Sequence, residues 1–337
     1  MENLTKRERA SLDEIIKSNK AVGASTATIS EGKLVNQEVF GLMNSRAGLS
    51  VETTTKFQAA SISKTVNAVA ILTLVNRGLV ALEDPVNIYL KKWQLQGEYA
   101  ESVTIKHLLS HSGGTTVHGF RGYGSNDPLP STIEILSGNE KANSPIVTAR
   151  SAPGKAYKYS GGGTTILQAI VEELTNSSYE KYISEKIFKP LGMIHSCYLA
   201  PNDFEGFSCA HGAGGNPIRG NYRRHPEKAA AGLWTTPKDI ASLLIGLFNS
   251  FHGSDKSLLP RSLTELMISK VVTDSGLGVF LVRKNLISHS GANYGFRSFF
   301  VFHMESGNGA VAMSNSERGA RTPAQLMAAI GKQRNWK

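Results

Sequence analysis

Ser61 and Lys64 form the first pattern in this sequence whose residue types and spacing could do chemistry. They belong to the segment Ser-Ile-Ser-Lys in the stretch 57–64, and apolar residues at helical spacing follow as far as Val75. Residues three apart share one face of a helix, so the Lys64 amine would lie beside the Ser61 hydroxyl. A serine nucleophile needs a base within hydrogen-bond reach, and a buried lysine can be that base. A serine that only caps the helix would give the same pattern.

Two further short segments bordered by glycine could contribute to one site, namely Tyr159-Ser160-Gly161 and His289-Ser290-Gly291. The Tyr159 phenol could handle a second proton, because a nearby lysine ammonium would stabilise its phenolate. Residues 161–163 are all glycine and are typical of a turn that allows close backbone approach. His289 is predicted at the end of a strand, whose backbone N–H could form an oxyanion hole with that of Ser61. Tyr159 and His289 could equally be structural residues.

The elements that must position these segments lie at both ends of the chain. An amphipathic helix is predicted at 4–19, followed by a hairpin of strands at 23–29 and 34–40. The last third predicts strands at 277–282, 286–289, 296–303 and 310–314, and a closing helix at 321–332. We therefore expect an α/β (α+β) fold in which helices flank an antiparallel sheet built from both termini. The sheet domain would be discontinuous, comprising 1–85 and 226–337, and 86–225 would be a mainly helical insertion domain.

The predicted insertion combines short helices with long loops. Helices are predicted at 104–111, 164–174 and 179–187, and loops at 115–150 and 200–228. These two loop-rich stretches are expected to line most of the pocket. After them, Thr236 and Pro237 have the residue types of an N-cap and a first helical position. A helix is therefore expected to begin there and to continue to Phe248.

Composition is that of a soluble globular enzyme, with 337 residues, 40% hydrophobic residues and a net charge of +10. Lysine and arginine are scattered, which favours a generally basic surface and no nucleic-acid partner. Cys197 and Cys209 have no metal-binding spacing, and whether they pair stays open. The chain has no apolar stretch long enough to span a membrane and no recognisable signal peptide, so a cytoplasmic location is expected. A protein whose leader had been removed, secreted or periplasmic, would look the same.

Together these segments resemble the serine β-lactamase and penicillin-binding-protein superfamily, whose Ser-x-x-Lys motif corresponds to Ser61 and Lys64. The most similar branch is class C-like and includes class C β-lactamases, family VIII carboxylesterases, D-aminopeptidases and D,D-carboxypeptidases. The stretches 78–86, 104–114, 190–193 and 231–239 also resemble that branch, and the similarity extends from about residue 20 to 315.

The resemblance implies a β-lactamase/transpeptidase-like fold and a role for each residue of the three motifs. Ser61 would accept the acyl group, and Lys64 would be its general base or electrostatic partner. Tyr159 would pass a proton to the leaving group and activate water for deacylation. The backbone N–H groups of Ser61 and Ala292 would form the oxyanion hole, and neither a cofactor nor a metal is implied. The candidate substrate-binding residues are Gln58, Gly161, His289, Ser290, Gly291 and Arg297.

Two departures from the β-lactamase pattern narrow the expected substrate. Gly161 stands where those enzymes have the asparagine of Tyr-x-Asn, which helps to hold an acylamino side chain. His289 stands in the place of the lysine of Lys-Thr-Gly, and a histidine is mostly neutral at pH 7. Both departures favour a neutral ester or a compact amide over a β-lactam. Arg297 could contact a substrate carboxylate instead, or it could be a structural arginine.

The sequence therefore predicts a serine acyl hydrolase that works through a Ser61 acyl-enzyme, first of all a carboxylesterase on small esters. A penicillin-binding or D-amino-acid peptidase, or a weak β-lactamase, is the alternative, and a non-catalytic binding or filament-forming relative is a further one. An α/β-hydrolase is disfavoured because the chain lacks Gly-x-Ser-x-Gly after a strand. A metalloenzyme is disfavoured because His107, His111 and His118 have no acidic partner at ligand spacing. The expected partner is a small ester or amide, and the oligomeric state stays open.

Overall fold

The structure, a computed structural model, describes residues 4–198, 205–255 and 257–336, so the predicted loop at 200–228 lies partly outside the described residues. The helices are α1 Lys6–Ser18, α2 Ser63–Asn76, α3 Ile105–Leu109, α4 Thr132–Ser137, α5 Gly161–Thr175, α6 Tyr179–Ile183, α7 Lys228–Ala231, α8 Pro237–Phe251, α9 Arg261–Met267 and α10 Thr322–Gln333. The strands are β1 Gly23–Ser30, β2 Lys33–Asn44, β3 Leu49–Ser50, β4 Phe57–Gln58, β5 Trp234–Thr235, β6 Phe280–Arg283, β7 Leu286–Asn293, β8 Phe296–His303 and β9 Asn308–Ser314.

The main sheet joins the two ends of the chain, as the sequence predicts. Within the described residues it has seven strands in the order β3-β2-β1-β9-β8-β7-β6, and each pair of neighbouring strands is antiparallel. The N-terminal hairpin meets the C-terminal strands where β1 pairs with β9, with Ala24 opposite Ser314 and Ile29 opposite Gly309. The predicted antiparallel sheet built from both termini is thus confirmed.

Helices cover both faces of this sheet, which explains why β1 is buried along nearly its whole length. On one face, α1 and α10 pack against the strands through a cluster that includes Leu12, Phe40, Ala312 and Leu326. On the other face, α8 packs against β1, β2 and β9, and a larger core extends from there to α2 and α5. Small and β-branched residues fit a strand that is covered on both sides.

Local signals place most elements in the right part of the chain, and two local predictions are wrong. Thr236 caps α8 as predicted, because its side chain accepts a hydrogen bond from the backbone N–H of Asp239. Residues 161–163 form the first turn of α5, where a separate loop turn was expected. His289 lies within β7 and not at a strand end, because β7 continues to Asn293. The two-residue strands β4 and β5 and the short helices α4 and α7 were not predicted.

The segment 86–225 is helical and loop-rich, and its described residues contribute no strand to the main sheet. Its separation as an insertion domain stays a prediction. Cys197 and Cys209 are not joined by a disulfide. Among the described residues, no helix combines the length and the apolar character needed to cross a membrane.

Candidate active site

Ser61 lies in a single 3₁₀ turn, Ala60–Ile62, between β4 and α2. The approach to this turn is fixed by the pairing of β4 with β5 and by a hydrogen bond of 2.8 Å from the Ala59 N–H to the Leu233 carbonyl. Ala60 has φ +49°, a left-handed conformation that residues with a Cβ seldom adopt. Such conformations persist where the surrounding structure enforces them, often at active sites.

Side chains and a glycine hold the Ser61 turn from three sides. The Ser298 hydroxyl donates to the Ala59 carbonyl at 2.7 Å, and the Ser63 hydroxyl donates to the Ala60 carbonyl at 2.6 Å. Gly291 of β7 packs directly against the turn, since a Cβ at this position would lie 2.2 Å from the Ala59 carbonyl oxygen. The predicted segment around His289 therefore touches the backbone of the Ser61 turn, and it needs glycine to do so.

Lys64 lies in the first turn of α2 and is 4% exposed. Its Nζ is 3.2 Å from the Ser61 Oγ and 2.7 Å from the Ala230 carbonyl oxygen, to which it donates. As a neutral amine, Lys64 could accept the Ser61 proton while it keeps the hydrogen bond to Ala230. As an ammonium, it could donate to both oxygens. The arrangement has the hydrogen-bond reach that general-base catalysis requires.

Tyr159 is half-buried, and its ring centre lies 4.9 Å from the Lys64 Nζ. His111 packs on the ring at a centroid distance of 4.3 Å, and His118 packs on it at 4.9 Å. The His111 Nδ1 also accepts a hydrogen bond of 3.3 Å from the Ser160 N–H, which fixes the segment that holds Tyr159. Sequence reasoning considered these two histidines only as metal ligands and missed this positioning role.

No group of histidine, cysteine, aspartate and glutamate side chains within the described ranges is suited to bind a metal ion. The third histidine of the predicted set, His107, has a different role. Its Nδ1 accepts a hydrogen bond of 3.2 Å from the Thr104 N–H, and the Thr104 hydroxyl accepts one from the His107 N–H. The pair forms a reciprocal cap at the start of α3.

His289 is buried in β7 and is held as a neutral base. Burial, together with the charge of Lys64, lowers its pKa to about 3. Its Nδ1–H donates to the Ser290 carbonyl at 2.8 Å, and its ring packs on Phe280 at a centroid distance of 5.0 Å. His111 is shifted in the same direction, since burial and the charge of Lys64 hold its pKa well below the usual range. Neither histidine supplies the positive charge that a lysine would bring.

The three predicted motifs converge on one open cavity of about 470 Å³. Of the residues predicted from the sequence, it is lined by Ser61, Lys64, Tyr159, His289, Ser290 and Ala292. The residues that sequence reasoning missed are His118, Gly119, Phe120, Tyr157, Ala230, Ala231, Phe280 and Asn293. The loop-rich stretch 115–150 contributes to the lining as expected, whereas the described part of 200–228 does not reach this cavity. The backbone N–H groups of Ser61 and Ala292 stay the proposed oxyanion hole.

Gly161 begins α5 at a place where a side chain would find no room. Its N–H donates to the His118 carbonyl at 2.9 Å. A Cβ would lie 2.9 Å from a ring carbon of Phe120 and 3.1 Å from the same carbonyl oxygen. The ring of Phe120 thus occupies the space where an asparagine of the Tyr-x-Asn type would project.

The last two predicted residues lie behind or beside the cavity. Gln58 is buried, and its side chain donates to the Arg223 carbonyl at 2.7 Å and accepts from the Asn293 amide at 2.8 Å. Since Asn293 lines the cavity, Gln58 positions the wall from behind. Arg297 is paired with Glu317 and donates to the Asn293 carbonyl at 2.8 Å, outside the cavity that Ser61 lines. Its guanidinium stabilises the turn between β7 and β8.

A sequence model of the beta-lactamase family matches residues 9–333. Protein flp of Staphylococcus aureus (strain COL) is 24% identical over 313 residues, which cover 87% of this chain and 59% of flp. Esterase EstB of Burkholderia gladioli is 29% identical over 229 residues, which cover 64% of this chain and 57% of EstB. The chain therefore spans little more than half of the length of either relative.

Two solved structures share the fold over almost the whole chain. The octameric penicillin-binding protein homologue from Pyrococcus abyssi has a TM-score of 0.80 and 24% identity, and the match covers 98% of this chain and 77% of that one. The D-amino acid amidase from Ochrobactrum anthropi SV3 has a TM-score of 0.80 and 19% identity, over 98% of this chain and 100% of that one. The β-lactamase/transpeptidase-like fold expected from the sequence is thereby confirmed.

Proposed function

Since the chain belongs to the beta-lactamase family, we propose that it is a serine hydrolase that forms an acyl-enzyme on Ser61. The observation that supports this most directly is the contact of 3.2 Å between the Lys64 Nζ and the Ser61 Oγ at the wall of an open cavity. A hydroxyl that faces substrate space and has a base at hydrogen-bond distance is the minimal requirement for nucleophilic catalysis.

Acylation would begin with attack of the Ser61 Oγ on the carbonyl carbon of the substrate. The serine proton would pass to Lys64, and the oxyanion of the tetrahedral intermediate would accept hydrogen bonds from the N–H groups of Ser61 and Ala292. Collapse of the intermediate breaks the bond to the leaving group. Tyr159, next to Lys64, would protonate the departing oxygen or nitrogen.

Deacylation would use the same groups in the reverse sense. Tyr159, left deprotonated by acylation, would take a proton from a water molecule, which attacks the acyl carbon. The bond between that carbon and the Ser61 Oγ then breaks, the proton held by Lys64 returns to Oγ, and the acid is released. His111 and His118, which pack on the Tyr159 ring, would hold the phenol in place for both steps. Because both steps need the same proton carrier, the removal of its hydroxyl should slow both of them.

Small esters are the proposed substrates, and two features of the cavity support this choice. Phe120 fills the space beside Gly161, so the cavity offers an apolar ring where an acylamino group would need a hydrogen-bonding partner. His289 is neutral, so no cation stands at that position for a carboxylate next to the scissile bond. Similarity to the esterase EstB agrees with an ester-cleaving activity.

A D-amino-acid peptidase or amidase is the second candidate, and the likeness to the D-amino acid amidase fold is the observation that favours it. Weak β-lactamase activity falls under the same candidate, because acyl transfer to serine is common to all of these reactions. A non-catalytic relative that binds a ligand or forms filaments is the remaining alternative. The contact between Lys64 and Ser61 argues against it.

The test is a substrate panel of p-nitrophenyl acetate and butyrate, nitrocefin and D-alanyl peptides, measured on wild type and on Ser61→Ala. We expect ester hydrolysis that falls by at least about 10³-fold in Ser61→Ala, as loss of a catalytic nucleophile does. A fluorophosphonate probe should label the wild type and the control Ser18→Ala, which changes an exposed serine at the end of α1. Full activity of Ser61→Ala, or no labelling of folded wild type, would overturn the proposal.

A further inference from the structure

A second open cavity of about 660 Å³ adjoins the one that holds Ser61. Phe120, Ala292 and Asn293 line both, so the two spaces meet along the wall that contains the proposed oxyanion donor. A substrate bound at Ser61 can therefore extend past Ala292 into the second cavity. What the second cavity recognises would then determine which esters the enzyme prefers.

Positive charge dominates the second cavity. Arg121, Arg223 and Arg297 line it, and Glu317 is the acidic residue in its described lining. Glu317 pairs with Arg297, whose guanidinium also donates to two backbone carbonyls. Within the ranges that the structure describes, Arg121 and Arg223 have no acidic side chain at ion-pair distance. The cavity thus keeps two arginines that no carboxylate of the described residues neutralises.

The backbone that holds these two arginines is tied to the active site. Tyr123 and Arg224 exchange a pair of backbone hydrogen bonds of 2.8 Å each, which joins the segment of Arg121 to that of Arg223. The Arg223 carbonyl accepts a hydrogen bond from the side chain of Gln58, in the strand that leads to Ser61. The arginines therefore have a fixed backbone position relative to the nucleophile, although their side chains face solvent-accessible space.

We propose that Arg121 and Arg223 bind a carboxylate at the far end of the substrate, so that the preferred esters are anionic. Guanidinium groups match the planar geometry of a carboxylate with two parallel N–H donors. The general positive charge of the protein, +10, would also draw anionic substrates to this opening. The inference rests on the proposed ester hydrolysis at Ser61. It assigns the carboxylate contact to Arg121 and Arg223, whereas the sequence had suggested Arg297.

The experiment compares matched pairs of anionic and neutral substrates. For a charge on the acyl side, the pair is the mono-p-nitrophenyl ester of adipic acid and the ester of its monoamide, which has nearly the same shape without charge. For a charge on the leaving group, the pair is 4-acetoxybenzoate and 4-acetoxybenzamide. The readout is the ratio of kcat/KM within each pair after subtraction of the spontaneous rate.

In wild type we expect the anionic member of one pair to be favoured by about tenfold or more, since hydrogen bonds to charged groups are the stronger ones. The pair that shows the preference identifies the side of the ester that enters the second cavity. In the double variant Arg121→Gln/Arg223→Gln, the ratio of the two kcat/KM values should fall to about one, because the enzyme would no longer distinguish the anionic ester from the neutral one. A second double variant, Arg46→Gln/Arg77→Gln, removes the same charge from exposed positions outside both cavities and should keep the ratio.

Raised salt should reduce the preference in wild type, because screening weakens the attraction between exposed charges. Ratios near one for both pairs in wild type, with normal hydrolysis of the neutral esters by Ser61, would overturn this inference and leave the proposed function standing. An equal fall of the ratio in both double variants would also overturn it, since the effect would then come from net charge. If none of the esters were cleaved in a Ser61-dependent way, the proposed function itself would fail.

Discussion

The cavity has two walls that are built in different ways. One, which we call the bonded wall, comprises the Ser61 turn, Lys64, Ala230 and residues 289–292, and hydrogen bonds and close backbone contact fix it. The other, the aromatic wall, comprises His118, Phe120, Tyr157, Tyr159 and Phe280, and in it His118 packs on Tyr159 and Tyr157 packs on Phe280. In the bonded wall, the Ala59 and Ala60 carbonyls next to the nucleophile both accept side-chain hydrogen bonds.

We infer that this difference in construction suits the two walls to different tasks. The bonded wall would hold the groups that react, and the aromatic wall would select the acyl group. A nucleophile must keep its geometry to within a fraction of an ångström, because small misplacements cost large factors in rate. Hydrogen-bonded backbone supplies that accuracy. Ring contacts are less directional and tolerate changes of partner, so the aromatic wall can set which acyl group fits without disturbing Ser61. Tyr159 is the exception, since it belongs to the aromatic wall by its contacts and to the chemistry by its proposed role.

Tyr159→Phe gives the largest expected effect of the variants that test this division. The ring and its contacts with His111 and His118 are retained, and only the hydroxyl is lost. If Tyr159 carries the proton, kcat should fall by roughly 10²–10⁴-fold with an unchanged melting temperature. Tyr157→Phe is the matched control. Burial raises the pKa of Tyr157 to about 12, so its phenol stays neutral and its loss should cost far less. If kcat of Tyr159→Phe were close to that of wild type, the role of Tyr159 would be purely structural.

Gly291→Ala tests the bonded wall. The added Cβ would lie 2.2 Å from the Ala59 carbonyl oxygen and 2.3 Å from the Ser298 hydroxyl, so the Ser61 turn must move. We expect a loss of about 10²-fold in kcat/KM on p-nitrophenyl acetate, because a displacement of about 1 Å at a reacting group can cost a factor of this size. Gly331→Ala is the control, because a Cβ there meets Trp336 at an ordinary 3.5 Å. Equal activities of the two variants would show that β7 does not hold the nucleophile.

The bonded wall is also the part that the sequence predicts well. Ser61 and Lys64 are three residues apart, and the 3₁₀ turn of Ser61 leads directly into α2, so near-helical geometry brings their side chains together. His289-Ser290-Gly291 was found as a motif, and the strand that holds it was predicted, although too short at its end. The sheet was predictable for a similar reason, since strands with period-two or continuous apolar patterns can be recognised from a short stretch of sequence.

Apart from Tyr159, the aromatic wall could not be predicted, because its residues come from separate segments and have no common spacing. Phe120 lies in a loop, and its position depends on the hydrogen bond between the His118 carbonyl and the Gly161 N–H. Residues 161–163 were expected to form a turn, but Ser160 caps a helix there, with its hydroxyl accepting from the Gly163 N–H at 2.9 Å. Three glycines do not show in a sequence whether they make a loop or allow a helix to pack closely.

A smaller effect is expected when the aromatic wall is rebuilt to resemble a β-lactamase. Gly161→Asn alone should lower ester hydrolysis, since the new side chain collides with Phe120. Gly161→Asn/Phe120→Ala frees the space and adds a hydrogen-bonding amide. We expect the ratio of nitrocefin to ester turnover to rise by up to about tenfold over wild type, the contribution of one good hydrogen bond. The control is Phe120→Ala, which opens the space without the amide, and an equal rise there would exclude the amide as the cause.

The smallest effect concerns stability and arises beneath the bonded wall. Glu227 and His225 precede α7, the helix that presents the Ala230 carbonyl to Lys64. Both are buried, and their nearest ring nitrogen and carboxylate oxygen are 3.9 Å apart. The two ring nitrogens of His225 and the two carboxylate oxygens of Glu227 have no hydrogen-bond partner among the described residues. Burial raises the pKa of Glu227 from 4.5 to about 8, and burial with the charges of Lys64 and Arg223 lowers that of His225 from 6.5 to about 4.

These shifts act on stability in opposite directions and over different ranges of pH. Between about pH 4 and 6.5 the unfolded chain binds more protons at His225, so stability rises with pH. Between 4.5 and about 8 the folded chain keeps the Glu227 proton that the unfolded chain loses, so stability falls as pH rises. Above pH 6.5 only the contribution of Glu227 remains, and one group can contribute at most about 1.4 kcal/mol per pH unit.

In wild type, Glu227 should lower the free energy of unfolding by about 1–2 kcal/mol between pH 6.5 and 8. Glu227→Gln should not show this fall, and urea titrations of both proteins at the two pH values measure it. Glutamine has the shape of the protonated acid, so the packing beneath α7 is kept. Ester hydrolysis should be nearly unchanged at pH 6.5, where wild-type Glu227 is already protonated and the Ala230 carbonyl already faces Lys64. Parallel pH curves for the two proteins would mean that Glu227 is ionised in the folded state. The bonded wall would then stand on a buried charge pair, and His225→Gln, which leaves that charge unpaired, should destabilise the protein far more than Glu227→Gln.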